Sequence, residues 1–103
     1  MDPKDLMYPH VPSHTREALD NYFKHGWEPG GFTTSMLVGD LYGAAGRADH
    51  INKGAMGYIA EYIYNEAPEG SWGSIELVRD WCNKGKYFQR YEKTRVVDIL
   101  STN

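Results

Sequence analysis

Apolar residues recur at intervals of three and four positions through residues 14–85, which is the spacing of one face of an α-helix. The strict apolar–polar alternation that marks a half-buried strand is missing from the same stretch of sequence. Breaks rich in glycine and proline divide the stretch into four parts. The pattern predicts an all-α fold, a compact bundle of about four helices.

Each predicted helix has an apolar face, and the third, the most regular of the four, is expected to be the central core helix. The first helix is expected to start near Ser13 or Thr15, either of which can cap it. The predicted faces are, in chain order, Leu19, Tyr22, Phe23 and Trp27; Met36, Leu37, Leu41, Ala44, Ala45 and Ala48; Ile51, Ala55, Tyr58, Ile59, Tyr62 and Ile63; and Ile75, Val78, Trp81 and Cys82.

The two ends of the chain differ from this helical region. Residues 1–13 contain three prolines and no periodicity, so they are predicted to form an extended or mobile lead-in to the domain at 14–85. Residues 86–103 interleave aromatic and basic side chains before an apolar run. They predict either a fifth helix or a short strand that pairs with another copy of the chain. In both cases a surface made of Tyr87, Phe88, Arg90 and Tyr91 is a candidate for homo-oligomeric or partner contact.

Charge excludes some classes of partner. The chain of 103 residues has a net charge of −3, but residues 1–83 hold 6 Lys/Arg against 12 Asp/Glu, whereas residues 84–103 hold 5 against 2. An acidic body of this kind argues against binding to duplex DNA. No apolar run is long enough to cross a membrane and the N-terminus does not look like a signal peptide, so a soluble cytoplasmic protein is expected.

Catalytic and metal-binding signals are weak. The single cysteine, Cys82, excludes an intramolecular disulfide and a cysteine-cluster zinc site, and its place on an apolar face predicts a buried structural thiol. Of the four histidines only His10 and His14 are four residues apart, and Pro12 between them forbids the regular helix that would place both imidazoles on one metal. Phosphate-binding loops and nucleophile elbows have no counterpart in the sequence. We therefore expect a protein that is not an enzyme and needs no metal or cofactor.

The segment GRADHIN at residues 46–52 is the first candidate site. If a helix ends near Gly46, then Arg47, Asp49, His50 and Asn52 gather where the next helix starts, and its free N–H groups favour an anion. The alternative is structural: Asp49 caps the next helix, Arg47 pairs with Asp49, and Asn52 ties the junction to a nearby loop.

Trp72 is the second candidate. It lies between small residues at the start of the fourth predicted helix, within Gly70-Ser71-Trp72-Gly73. Such a tryptophan is either an anchor onto the core or an exposed platform on which a base could stack. If it were a platform, Arg47, Asn52 and Trp72 would be expected to line one pocket.

Several sequence anchors together resemble a known family. Gly30-Gly31-Phe32, Asp40-Leu41, Arg47-Ala48-Asp49, Tyr62-Ile63-Tyr64-Asn65 and Trp72-Gly73-Ser74 are similar in order to a family of small uncharacterised proteins of tailed bacteriophages and prophages. The resemblance implies a non-enzymatic accessory protein of the host cytoplasm that acts by binding. Its target would be a nucleotide-type signal, which it sequesters, or a host defence protein, which it blocks. The alternative is a regulatory or structural module with protein partners only.

Overall fold

The computed structural model describes residues 3–85, and within them every secondary-structure element is a helix, with no strand. The predicted all-α class is confirmed, but the described residues form seven helices rather than four. They are α1 (Pro3–Met7), α2 (Ser13–His25), α3 (Gly31–Val38), α4 (Leu41–Arg47), α5 (His50–Lys53), α6 (Met56–Glu66) and α7 (75–85). Among these helices none is long and apolar enough to cross a membrane.

The core forms where α2, α3 and α6 meet. Its most deeply buried large side chains come from these three helices and are Leu19, Tyr22, Leu37, Ile59 and Tyr62. Helix α7 closes the core with Val78 and Cys82, and the prediction of a buried thiol is confirmed. The central role predicted for the third apolar stripe also holds for its second half, since Ile59, Tyr62 and Ile63 of α6 are buried.

The second predicted helix is interrupted at Gly39 and Asp40, which was not anticipated. Gly39 ends α3 with φ +85, a left-handed conformation that glycine adopts at low cost. The Asp40 carboxylate then accepts from the Gly43 amide and caps α4. Because the new helix starts in a different direction, the predicted face does not continue across the break, and Leu41 is exposed rather than buried.

A second interruption separates α5 from α6 at Gly54 and Ala55. The prediction of one continuous stripe through residues 51–63 is therefore wrong, and Ile51 and Tyr58 are exposed. Trp27 and Ile75, predicted as core residues, are exposed as well. Trp27 lies beyond the end of α2, which explains why it does not share the face of Leu19 and Tyr22.

The N-terminal segment is not the extended or mobile lead-in that its prolines predict. Residues 3–7 form α1, and Tyr8 and Val11 are buried against the core. The Tyr8 hydroxyl donates to Glu66 Oε2 over 2.8 Å, and its ring meets the Tyr62 ring edge-on at 4.8 Å. These two contacts attach the segment to α6.

Helix α2 starts at Ser13, as predicted, but its cap differs from the expectation. Pro12 occupies the N-cap position and no side chain caps the helix, so neither Ser13 nor Thr15 has the predicted role. Thr15 is instead buried and directs its hydroxyl into the interior.

The other end of α2 is joined closely to α7. The Tyr22 carbonyl oxygen accepts from the Gly26 amide and from Trp81 Nε1, each over 2.8 Å. Gly85 lies so near that a Cβ added to it would be 2.3 Å from the His25 carbonyl oxygen and 2.9 Å from the Gly26 Cα. Only glycine allows this approach of one backbone to the other. The candidate interface residues Tyr87, Phe88, Arg90 and Tyr91 follow it and lie outside the described residues.

Replacing Gly85 tests this contact. Gly85→Ala places a methyl group against backbone, which has to move, so we expect a loss of about 1–3 kcal/mol in the free energy of unfolding. Gly57→Ala is the matched control, because nothing lies within 4 Å of the added Cβ in α6, and it should raise stability by up to about 1 kcal/mol. Urea unfolding measures both. Equal stability of Gly85→Ala and wild type would contradict the contact.

Two core tyrosines predict an alkaline limit to stability. Burial raises the pKa of Tyr22, with a smaller effect from Cys82. Burial and then the hydrogen bond to Asp20 raise the pKa of Tyr62. A raised pKa in the folded state means that this stabilisation is complete below pH ~10, the unfolded value, and is lost as the pH rises above it. The free energy of unfolding, measured from pH 8 to 11.5, should fall as the pH rises, and the fall should be shallower in Tyr62→Phe than in the wild type. Tyr64→Phe, at an exposed position, should keep the wild-type slope.

Candidate functional site

The GRADHIN segment is a helix junction in which the Asp49 carboxylate caps the second of the two helices. Asp49 Oδ1 accepts from the backbone N–H of Asn52 over 2.7 Å and caps α5, as predicted. The proposed anion-receptive corner depended on free N–H groups at this start. Because a carboxylate of the chain itself already bonds there, and α5 has only four residues, the junction has little to offer an external anion.

Asn52 is buried and connects the junction to α2. Its Oδ1 accepts from the Thr15 hydroxyl over 2.6 Å, which leaves the amide Nδ2 as a donor facing His14 Nε2 at 3.5 Å. His14 Nε2 also lies 3.6 Å from Asp49 Oδ2. An unprotonated Nε2 accepts from Asn52 Nδ2, whereas a protonated imidazole would pair with the Asp49 carboxylate instead. Asn52 thus ties the junction to a helix rather than to a loop, and its polar atoms serve the fold.

Arg47 does not pair with Asp49. Its Nη1 donates to Ser35 Oγ over 3.1 Å and lies 3.8 Å from Asp40 Oδ2. The side chain therefore extends back along the α3–α4 turn, where it bridges α3 to the cap of α4. The prediction of an Arg47–Asp49 pair is wrong, and the guanidinium is directed away from the junction.

The two remaining predicted site residues are also apart from Asn52. His50 is exposed on α5. Trp72 is half-buried, packs against the core and meets the Tyr64 ring edge-on at 6.0 Å. This placement favours the interpretation of Trp72 as a core anchor. The predicted residues thus have different contact partners, and a single pocket lined by Arg47, Asn52 and Trp72 stays a prediction.

An apolar surface that the sequence did not indicate lies on α4 and α6. Leu41 is 63% exposed and Tyr42 87% exposed at the start of α4. Leu41, Met36 and Ala60 line a depression of about 220 Å³, and Tyr64, one turn from Ala60 on α6, is 73% exposed. We refer to Met36, Leu41, Tyr42, Ala60 and Tyr64 as the α4–α6 surface.

A wider groove runs between the N-terminal segment and the α5–α6 junction. It has a volume of about 670 Å³ and is lined by apolar and aromatic side chains that include Val11, Ile51 and Tyr58. The His10 and Tyr58 rings lie 4.6 Å apart on its wall. Asp5 contributes a carboxylate, and among the described residues no lysine or arginine lines the groove. Such a lining does not suit the phosphate of a nucleotide.

Sequence reasoning missed the α4–α6 surface because Leu41 fitted a helical stripe of the predicted second helix. The signal that could have found it is Gly39-Asp40, a left-handed stop followed by an N-cap residue. Tyr42 was outside every predicted face, so its exposure agrees with the pattern. Residues 3–85 contain no group of three His, Cys, Asp or Glu side chains that could hold a metal ion.

Comparison with protein families, curated proteins and solved structures finds no match to this chain. The resemblance to tailed-phage proteins stays a prediction from the sequence.

The structural role of Asn52 can be measured. Asn52→Ala removes the acceptor of the buried Thr15 hydroxyl and leaves that hydroxyl unsatisfied, so stability should fall by about 1–3 kcal/mol. Lys53→Ala, at the exposed neighbouring position in α5, should change it by less than about 0.5 kcal/mol. Chemical denaturation reports both values. If the two variants were equally stable, Asn52 would not be the tie between α5 and α2.

Proposed function

We propose that this protein acts by binding a protein partner through the α4–α6 surface and catalyses no reaction. The exposure of Leu41 and Tyr42, side by side at the start of α4, is the observation that carries the proposal. Neighbouring large apolar side chains that remain in water on a folded domain are typical of interaction surfaces. Tyrosine in particular is enriched among the residues that dominate binding energy.

The form of the surface supports a protein partner. The depression beside Leu41 has the size of one side chain rather than of a cofactor, at about 220 Å³, and its wall includes the small residues Gly39 and Ala60. A partner side chain inserted there would bury Leu41, and each large apolar side chain that becomes fully buried contributes roughly 1.5–3 kcal/mol.

The charged groups at its edge leave the surface neutral. Asp40 caps α4 through its Oδ1, and Arg47 is directed toward Asp40 and Ser35. An anionic ligand such as a nucleotide gains little from such a surface. Of the two counter-defence modes that the sequence suggests, blocking a protein is therefore better supported than sequestering a nucleotide.

In the tailed-phage setting implied by the resemblance, the partner would be a host defence protein in the bacterial cytoplasm. The alternative is a partner encoded by the phage itself, or a second copy of the chain, for a regulatory or structural role. The contact predicted for Tyr87, Phe88, Arg90 and Tyr91 lies outside the described residues and stays a prediction.

Photo-crosslinking tests the surface in cells. A benzophenone side chain in place of Tyr42 should give one discrete protein adduct in the bacterial host. Adding Leu41→Asp should reduce the yield by roughly thirtyfold, as expected when a contact worth ~2 kcal/mol is lost. The mass of the adduct distinguishes a host protein, a phage protein and a second copy.

The matched control is Ile51→Asp. Ile51 is an apolar side chain as exposed as Leu41, but it lines the N-terminal groove. Neither aspartate should lower the Tm by more than about 2 °C, since both side chains are exposed. Loss of the adduct in Ile51→Asp but not in Leu41→Asp would move the interface to the groove. A rise in Tm with cyclic or linear nucleotides would instead support sequestration.

A further inference from the structure

Helix α1 is held almost entirely by ionic contacts. Lys4 Nζ lies 3.7 Å from Asp20 Oδ1 and 3.8 Å from Glu66 Oε1, and 5.6 Å from the centre of the Tyr62 ring. One residue later, Asp5 Oδ1 lies 2.8 Å from Arg16 Nη1. These contacts connect α1 to both α2 and α6.

Apolar packing contributes little to the position of α1. None of its residues is buried, and its two large apolar side chains, Leu6 and Met7, are exposed. A helix of five residues is also too short to be stable by itself in water. Burial begins only at Tyr8, whose ring and hydroxyl contact Tyr62 and Glu66.

We propose that α1 is a salt-sensitive strap that opens as far as Tyr8 while the rest of the described helices stay folded. Ion pairs at a protein surface contribute between nothing and about 1 kcal/mol each, and dissolved salt weakens them further. The packing of the buried Tyr8 ring is not ionic and keeps its strength in salt. The boundary between opening and stable structure therefore falls between Met7 and Tyr8.

Opening changes what the protein presents to a partner. The carboxylates of Asp20 and Glu66 both lose the Lys4 ammonium, and the face of Tyr62 loses its cover. The two carboxylates border a depression of about 310 Å³ that Phe23 and Lys24 also line. Arg16 loses Asp5 in the same step and Lys24 remains at the rim, so the uncovered region carries charges of both signs rather than a purely acidic patch.

Hydrogen exchange of the full chain tests the strap. The Tyr8 amide donates to the Lys4 carbonyl oxygen over 2.9 Å and reports on α1, whereas the Gly26 amide reports on α2. Between 20 mM and 500 mM NaCl, exchange at Tyr8 should become several-fold faster, while exchange at Gly26 stays within about twofold.

Variants separate ionic opening from general loosening. Lys4→Met keeps the length of the side chain but removes its charge, and Asp5→Asn weakens the pair with Arg16. At 20 mM NaCl each should accelerate Tyr8 exchange by up to about fivefold and leave Gly26 unchanged. Lys24→Met, which removes a cation from the rim of the same depression, should have no such effect. Salt-independent exchange at Tyr8, or exchange that follows global unfolding, would overturn the proposal.

Discussion

Three hydroxyl groups in the interior each donate to an acceptor far away in the sequence. Tyr22 bonds the Ser71 carbonyl oxygen over 2.6 Å, Thr15 bonds Asn52, and Tyr62 bonds Asp20. A buried hydroxyl without a partner destabilises a protein by about 1–3 kcal/mol, so these bonds allow α2, α5, α6 and the loop before α7 only one arrangement. Such long-range hydrogen bonds matter more here than in a protein of long helices, because several helices have only four to eight residues and are not stable alone. Tertiary contacts, rather than helix propensity, hold them.

The small number of buried contacts also explains why apolar residues of α4 are exposed. Helix α4 has one buried side chain, Ala44, and the bridge from Arg47 to Ser35 and Asp40 fixes its direction. Once Ala44 faces the core, Tyr42, two positions earlier, lies on the opposite side of the helix and faces water, whereas Leu41 is exposed at the first position of α4. Their exposure follows from how α4 is anchored, and a partner is what would compensate for it.

The periodicity was sufficient for the helical class, for most of the buried positions of α2 and α6, and for Cys82. Asp49 as a cap was also predictable, because a short carboxylate before a helix has few other uses. The break at Gly54 was not, since a glycine within a periodic stretch fits an intact helix as well as a stop. The break at Gly39 was predictable only if the glycine was considered together with Asp40 as the cap of a new helix. The hydrogen-bond partners of Arg47 and Asn52 could not be predicted from the sequence for another reason. Each bond joins residues 12 or 37 positions apart, and no local pattern encodes such distances.

The α4–α6 surface and the contacts of α1 respond differently to dissolved salt. The α4–α6 surface is apolar, and its contacts persist in salt because burial of apolar groups does not rely on charge. The α1 strap is ionic, and salt weakens it within the range found in cells. If α1 opens as proposed, a change in ionic strength would alter what the protein presents beside Tyr62 without releasing the partner proposed at Leu41 and Tyr42. Helix α6 carries Glu66 and Tyr62 toward α1, and Ala60 and Tyr64 toward the α4–α6 surface, so the two regions lie on different sides of one helix.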